Sequence, residues 1–314
     1  MKVLVTGGGG FIGSNIVEEL LRQGFEVNVI DNFSTGKREN LSPFEKDINL
    51  IEGDIRSYHI VQEAVNGVDV ILHQAALPSV PRSIKDPITT NEVNISGTLN
   101  LLESAVKANV KRFVYASSSS VYGDSPQLPK KETMEPNPLS PYAVSKLAGE
   151  KYCQVFNRIY GIETICLRYF NVFGLRQDPT SQYSAVIPKF ITLMMNDKQP
   201  VIYGDGKQSR DFTYVANVVK ANLLAATKEI DGSYTLNCAC HDRIDLIELV
   251  KKINAQLGKD IEPVFADARK GDVKHSFADI DLAKEKLDYE VVVNFDEGLS
   301  LTIENLEGIR NLTI

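Results

Sequence analysis

Met1-Lys2-Val3-Leu4-Val5-Thr6-Gly7-Gly8-Gly9-Gly10-Phe11-Ile12-Gly13 opens the chain. Lys2 to Thr6 read as a short apolar strand that runs straight into a glycine-rich turn. The turn opens a helix over Ser14 to Gln23, with apolar residues at helical spacing. After Gly24, Phe25 to Ile30 form a second strand that ends at Asp31. Gly7, Gly10 and Gly13 permit a tight turn and close backbone approach, and the helix N-terminus can receive a pyrophosphate. An acid about 20 residues further on can accept hydrogen bonds from ribose hydroxyls. The unit therefore predicts a dinucleotide site. Asp31 would repel a 2′-phosphate, which favours NAD over NADP, while Lys37 and Arg38 close by weigh the other way.

The strand–helix alternation continues. Asn49 to Glu52 lead to Gly53-Asp54-Ile55, and a helix over Tyr58 to Val65 precedes the strand Val68 to His73, which ends at Gln74-Ala75-Ala76. A Pro-containing loop (Pro78, Pro81, Pro87) then feeds a long helix over Asn91 to Ala108. Lys111 to Ala116 form a strand with Ser117 to Ser120 at its end. Residues 123 to 140 read as a Pro-rich connection. Ser140 is placed to cap a helix that begins at Pro141 and ends at Gly161, and Glu163 to Arg168 form a further strand. This order predicts an α/β fold: a Rossmann-type doubly wound parallel sheet over residues 1–170, with return segments over 213–240, and a smaller mixed α/β lobe over 171–314. In that lobe helices are expected near 184–196, 214–228, 243–257, 279–287 and 297–310, with strands near 201–203, 233–237 and 261–265. Ligands in such sheets bind beyond the carboxyl ends of the strands. That places Asp31, Asp54, Gln74 to Ala76 and Ser117 to Ser119 around one pocket.

A chain of 314 residues can bury a large core, and 43% hydrophobic with 24% charged residues is the composition of a soluble globular protein. A net charge of −7 argues against general binding to nucleic acid or to anionic membranes. No apolar run approaches transmembrane length, and a strand beginning at Lys2 leaves no room for a signal peptide, so a cytoplasmic location is expected. Four cysteines there are expected as reduced thiols. Cys238-Ala239-Cys240-His241 lacks a second ligand cluster and a common zinc spacing, so no metal site is predicted.

Tyr142 and Lys146 stand four apart on the helix after Ser140 and share one face. An isolated Tyr titrates near ~10, and an adjacent ammonium favours its phenolate. A serine hydroxyl from the run at 117–120 could share the proton. These groups can move a proton on and off an alcohol or sugar hydroxyl.

With Thr6 to Gly13, Tyr142-x-x-x-Lys146 and Arg168-Tyr169-Phe170-Asn171-Val172-Phe173-Gly174 in order, the chain resembles the extended short-chain dehydrogenase/reductases over essentially its whole length. Within them it looks most like the UDP-hexose 4-epimerases, particularly those acting on N-acetylated sugars. The resemblance implies an isomerase in which Tyr142 takes the proton from the sugar O4, Lys146 lowers the Tyr142 pKa and holds the nicotinamide ribose, and NAD takes and returns the C4 hydride. Ser118 matches the proton-sharing serine, Ser119 can assist, and four serines in a row leave the choice between them open. The same resemblance assigns to NAD the turn residues Gly7, Gly10, Phe11, Ile12 and Gly13. It also assigns Asp31, Asn32, Ser34, Thr35 and Gly36 after the second strand, then Asp54, Ile55, Gln74, Ala75, Ala76, Asn94, Tyr169, Asn171 and Val172.

For the UDP-sugar it implies Asn171 at the diphosphate, Ala185, Val186 and Ile187 beside the uracil, and Tyr203 and Arg210 in a second segment. Arg269 on phosphate, Asp272 on the ribose and Ser276 at the sugar C2 side complete the set. A small residue at 276 leaves room for an N-acetyl group, which points to UDP-GlcNAc and UDP-GalNAc, with some UDP-Glc/UDP-Gal turnover. Related 4,6-dehydratases carry Thr-Asp-Glu where this chain has Ser118-Ser119-Ser120, and related decarboxylases carry a glutamate at 120, so neither reaction is expected. The competing readings are an epimerase for UDP-glucose or UDP-glucuronate only, and a redox-sensing regulator without catalysis. The resemblance also implies a homodimer through the helices near 91–108 and 143–160.

Overall fold

A computed structural model describes residues 1–178, 186–267 and 274–312. Seven parallel strands form the main sheet, joined by helices in chain order: β1 (Lys2–Thr6), α1 (Phe11–Arg22), β2 (Glu26–Asp31), β3 (Ile48–Glu52), α2 (Tyr58–Ala64), β4 (Val70–His73), α3 (Val80–Lys85), α4 (Pro87–Asn91), α5 (Gly97–Lys107), β5 (Arg112–Ser118), α6 (Pro141–Tyr160) and β6 (Glu163–Tyr169). The rest of the chain supplies β7 (Val172–Phe173), α7 (Val186–Met195), β8 (Val201–Tyr203), β9 (Ser209–Arg210), β10 (Thr213–Tyr214), α8 (Val215–Thr227), β11 (Ser233–Cys238), β12 (Ile244–Asp245), α9 (Leu246–Leu257), β13 (Val264–Ala266), β14 (His275–Ser276), α10 (Asp281–Leu287) and α11 (Phe295–Leu312). The sheet order is β11-β6-β5-β4-β1-β2-β3. The direction of strand order reverses between β1 and β4, which is where such sheets bind ligands.

Alternate residues explain why the sheet is buried on both faces. Val3, Val5, Val27, Val29 and Val114 pack into one core, while Leu4, Ile30, Ile71 and Phe113 pack into the other. Side chains on a strand alternate sides, so both sets must be apolar. α6 is set by its ends. Ser140 Oγ accepts from Ala143 N–H at 3.1 Å, Pro141 occupies the first helical position, and Gly161 stops the helix at φ 76°.

The strand expected near 233–237, within the return segments over 213–240, is the edge strand of the main sheet, paired to β6. Two features differ from the sequence expectation. The long helix over 91–108 is broken: α4 passes through a π-helical turn over Glu92–Ser96 before α5 begins. The apolar stripe of α5 (Leu101, Leu102, Ala105) is core. Ile84 and Ile88 on α3 and α4, 65% and 72% exposed, instead join Val144, Val155 and Ile159 of α6 as uncovered apolar side chains. Three small sheets hold the remaining strands: β7 with β10, β9 between β12 and β14, and β8 with β13. Among the described residues no helix is long and apolar enough to cross a membrane, and no His, Cys, Asp and Glu cluster could hold a metal ion. All four cysteines are free thiols.

Candidate active site

The strand ends of the main sheet open on a cleft of ≈580 Å³. Its floor is the glycine turn. Gly7 sits at φ 69° and donates to the Ile30 carbonyl at 2.8 Å, and a Cβ on Gly13 would run into the Gly7 carbonyl oxygen. α1 therefore begins hard against the turn. Gly10 caps it without any side-chain bond, so the first N–H groups of α1 are left for an anion.

Asp31 holds the turn from the neighbouring strand. Its Oδ2 accepts from Gly9 N–H and its Oδ1 from Phe33 N–H, both at 2.8 Å. Burial raises its pKa, and these two bonds oppose the rise. Lys37 pairs with Asp178 at 2.8 Å and Arg38 with Glu52 at 2.6 Å, so both cations near Asp31 are engaged by carboxylates. Asn32 donates to Asp54 Oδ2 at 2.8 Å, joining the ends of β2 and β3. The Arg56 guanidinium holds Asp54 at about 2. Ser34, Thr35, Gly36 and Ile55 line the same end of the cleft.

At the centre, Gln74, Ala75 and Ala76 line the wall beyond β4. Gln74 donates to Asn222 Oδ1 and accepts from the Tyr169 hydroxyl, both at 3.0 Å, and Asn222 donates to Tyr169 at 2.8 Å. This closed triangle fixes the Gln74 amide and the Tyr169 ring. His73 is enclosed between Thr6 (2.7 Å) and Thr98 (2.9 Å), and burial and then the Lys146 charge pull it down to about 3. It stays neutral.

Tyr142 and Lys146 reach the cleft from α6, beside the end of β5. Lys146 Nζ donates to the Ala116 carbonyl at 2.7 Å and lies 5.9 Å from the Tyr142 ring centroid. Burial pulls Lys146 down to about 8. Burial pushes the Tyr142 phenol up, opposed by its hydrogen bond with Ser118. A buried phenolate loses solvation, and the Ser118 hydrogen bond returns only part of it. The serines are sorted by their bonds. Ser117 donates to Glu150 at 2.5 Å, and Ser118 accepts from Ser120 N–H (3.2 Å) and Ser120 Oγ (2.9 Å) while reaching Tyr142. Ser119 begins a short 3-10 turn over 119–122.

Other expected contacts fall elsewhere. Asn94 is buried behind the cleft wall, bonded to both backbone groups of Leu77 and to Ser145. Asn171 donates to the Asp211 carbonyl at 3.0 Å, and Val172 is paired to Thr213, so neither lines the cleft. Ile187 is packed in the core with Val186 against it. Tyr203 ends β8. Arg210 and Ser276 are direct partners on β9 and β14, and Arg210 donates to the carbonyls of Ser209 and Lys274. Ala185, Arg269 and Asp272 lie outside the described residues. Sequence reasoning missed Leu77 to Ser79, Arg82, Gln177 and Asp178, which also line the cleft. The N-cap bond from Arg82 N–H to Ser79 Oγ was the one local signal, since Ser-x-Pro opens a helix.

The sequence profile of the NAD dependent epimerase/dehydratase family matches residues 3–239. Three solved structures are similar over nearly the whole chain. UDP-N-acetylglucosamine 4-epimerase from Methanobrevibacter ruminantium, in complex with UDP-N-acetylmuramic acid, is 41% identical with a TM-score of 0.94, covering 98% of each chain. UDP-glucose 4-epimerase from Thermotoga maritima, with UDP-glucose, is 38% identical with a TM-score of 0.94, covering 99% of this chain and 100% of that one. UDP-glucose 4-epimerase from Thermus thermophilus, in complex with NAD, is 37% identical with a TM-score of 0.88, covering 98% and 99%.

Proposed function

The chain belongs to the NAD dependent epimerase/dehydratase family, and from that premise we propose that it interconverts UDP-GlcNAc and UDP-GalNAc by epimerisation at C4, with UDP-Glc and UDP-Gal as further substrates. The observation that carries this reading is the convergence of Tyr142 and Lys146 on the cleft that the glycine turn floors, with Ser118 at the end of β5 against the Tyr142 phenol. The residues fit NAD: a Cβ-free cradle at Gly7 and Gly13, an uncapped helix start, and Asp31 with no unengaged cation beside it. When bound, NAD supplies a hydride acceptor and donor for the sugar C4.

The chain's own groups handle the proton. Ser118, anchored by Ser120, presents its hydroxyl to Tyr142, and the two relay the C4 hydroxyl proton to the phenolic oxygen and back. Lys146 supplies positive charge that favours the phenolate over the phenol during the transfer. Ser118, Ser119 and Ser120 hold no carboxylate that could remove a proton from C5 or protonate a leaving hydroxyl at C6, so the chemistry stops at C4.

The N-acetyl preference rests on Ser276, half-buried on β14 beside Arg210. A serine leaves space that a tyrosine ring would fill. Ser276→Tyr is expected to lower kcat/KM for UDP-GlcNAc at least about 100-fold, a loss of about 3 kcal/mol, while UDP-Glc turnover stays within a few-fold. Unchanged UDP-GlcNAc turnover would remove Ser276 as the gatekeeper.

The uncovered side chains of Ile84, Ile88, Val144 and Ile159 support a second copy of the chain as the partner, with α6 at the centre of the contact. Sedimentation should give a dimer for the wild type and a monomer for Ile88→Glu/Ile159→Glu. A monomeric wild type at micromolar concentration would contradict the homodimer.

A further inference from the structure

Tyr142, Lys146 and Glu150 are spaced by four along α6 and therefore share one face. Each meets one of three consecutive residues at the end of β5. Lys146 Nζ donates to the Ala116 carbonyl at 2.7 Å, Ser117 Oγ donates to Glu150 Oε1 at 2.5 Å, and Ser118 bonds to Tyr142. The helix is thus docked on the strand end by three polar rungs, and only two of them belong to the proton-moving groups. The approach is as close as the backbone allows, since a Cβ on Gly149 would collide with the Tyr115 hydroxyl.

The third rung is built from a buried charge. The Glu150 and Arg168 side chains are 1% and 4% exposed, and two bonds of 2.8 Å join them, from Arg168 Nε to Oε1 and from Nη2 to Oε2. Arg168 is the register partner of Ser117 across β5 and β6, so a single carboxylate oxygen receives both neighbours of the ladder. The guanidinium lies 4.6 Å over the Tyr122 ring, and its Nη1 is buried without a hydrogen-bond partner. An ion pair in such a place is an expensive way to hold a fold together. Apolar residues of similar volume commonly do as well or better, whereas charge and forked geometry fix one arrangement.

We propose that Glu150, clamped by Arg168, is a positioning residue: through Ser117 it locks the end of β5 in register with α6 and so sets where Ser118 and Lys146 meet Tyr142. The inference rests on the reading of Tyr142, Ser118 and Lys146 given above. Ser117→Ala removes the rung and leaves the ion pair in place.

For this variant kcat is expected to fall at least about 10-fold, near 1.4 kcal/mol, with KM, bound NAD and Tm close to wild type. Glu150→Gln keeps the shape but breaks the charge pair, so it should lose kcat and Tm together. A second readout is independent of turnover. With 3-fluorotyrosine at position 142, fluorine NMR should show the phenol titrating at higher pH in Ser117→Ala than in the parent, because a displaced Ser118 no longer supports the phenolate. An unchanged titration with unchanged kcat in Ser117→Ala would overturn the proposal, as would a kcat loss in Ser117→Ala that merely follows lost NAD or lowered Tm. Should the wild type turn over no UDP-sugar, the functional reading fails by itself, and the fluorine titration still decides whether Ser117 and Glu150 position Tyr142.

Discussion

Tyr142→Phe is expected to leave the protein folded, with NAD bound, and to lower kcat by about 10³- to 10⁴-fold, the upper part of the range that a positioned acid–base group supplies. The variant removes one oxygen atom. That oxygen is the only phenolic oxygen that both reaches the cleft and bonds to the serine at the end of β5 among the described residues. Tyr169 also lines the cleft, but its hydroxyl is closed into the triangle with Gln74 and Asn222 and cannot substitute. His73 cannot take over the proton either, because it is enclosed and held neutral. The packing of the ring against the cleft wall is retained by Phe, so Tm should stay within about 2 °C, as for a substitution that creates no cavity. Steady-state turnover and the absorbance of bound NAD report the two quantities separately. A variant with kcat within 10-fold of wild type would show that another group moves the proton.

Lys146→Met is expected to cost about 100-fold or more in kcat while leaving the protein as stable as wild type, or more so. The two directions follow from the same burial. Lys146 has a folded-state pKa of about 8, below the value of 10.5 for a free lysine. Stability therefore rises with pH between about 8 and 10.5, because the unfolded chain binds more protons there. At neutral pH the whole penalty of burying the ammonium is present. Met has nearly the same length without the charge, so the penalty disappears along with the cation that favours the Tyr142 phenolate. Wild-type kcat/KM is expected to fall as pH rises through about 8, when the ammonium loses its proton, and Lys146→Met is expected to lack that limb. Thermal unfolding and a pH–rate profile read these effects. A large fall in Tm with a proportionate fall in activity would mean that Lys146 serves the fold rather than the proton transfer.

Much of the cofactor side was legible in the sequence because backbone geometry dictates it. The turn at Gly7 and Gly13 admits no Cβ, the strands around it must be apolar on both faces, and Asp31 stands at a strand end. Helical periodicity could not show the π turn at Glu92–Ser96. There Asn94 turns inward to bond Leu77 and Ser145, and the gain comes from residues far away in sequence. Nor could periodicity show that Asn171, given to the ligand by the resemblance, also donates through its Nδ2 to the Asp211 carbonyl. β9, β12 and β14 are two residues long and carry no period, so the side-by-side placement of Arg210 and Ser276 emerged only from the structure. Gln177 and Asp178 enter the cleft from a loop remote from the glycine turn, tied across it by Lys37. The pairing of Glu150 with Arg168 was equally hidden, since neither residue departs from ordinary helix or strand composition.

The central claim is best tested by incubating the purified wild-type protein, without added cofactor, with UDP-GlcNAc, UDP-Glc and UDP-glucuronate in separate reactions and separating the products by chromatography. The expected result is conversion of UDP-GlcNAc to an equilibrium mixture with UDP-GalNAc, slower conversion of UDP-Glc to UDP-Gal, and no net consumption of NAD. Products that have lost the substrate's 6-hydroxyl or carboxyl group, or no UDP-GalNAc from UDP-GlcNAc even after NAD is supplied, would contradict it.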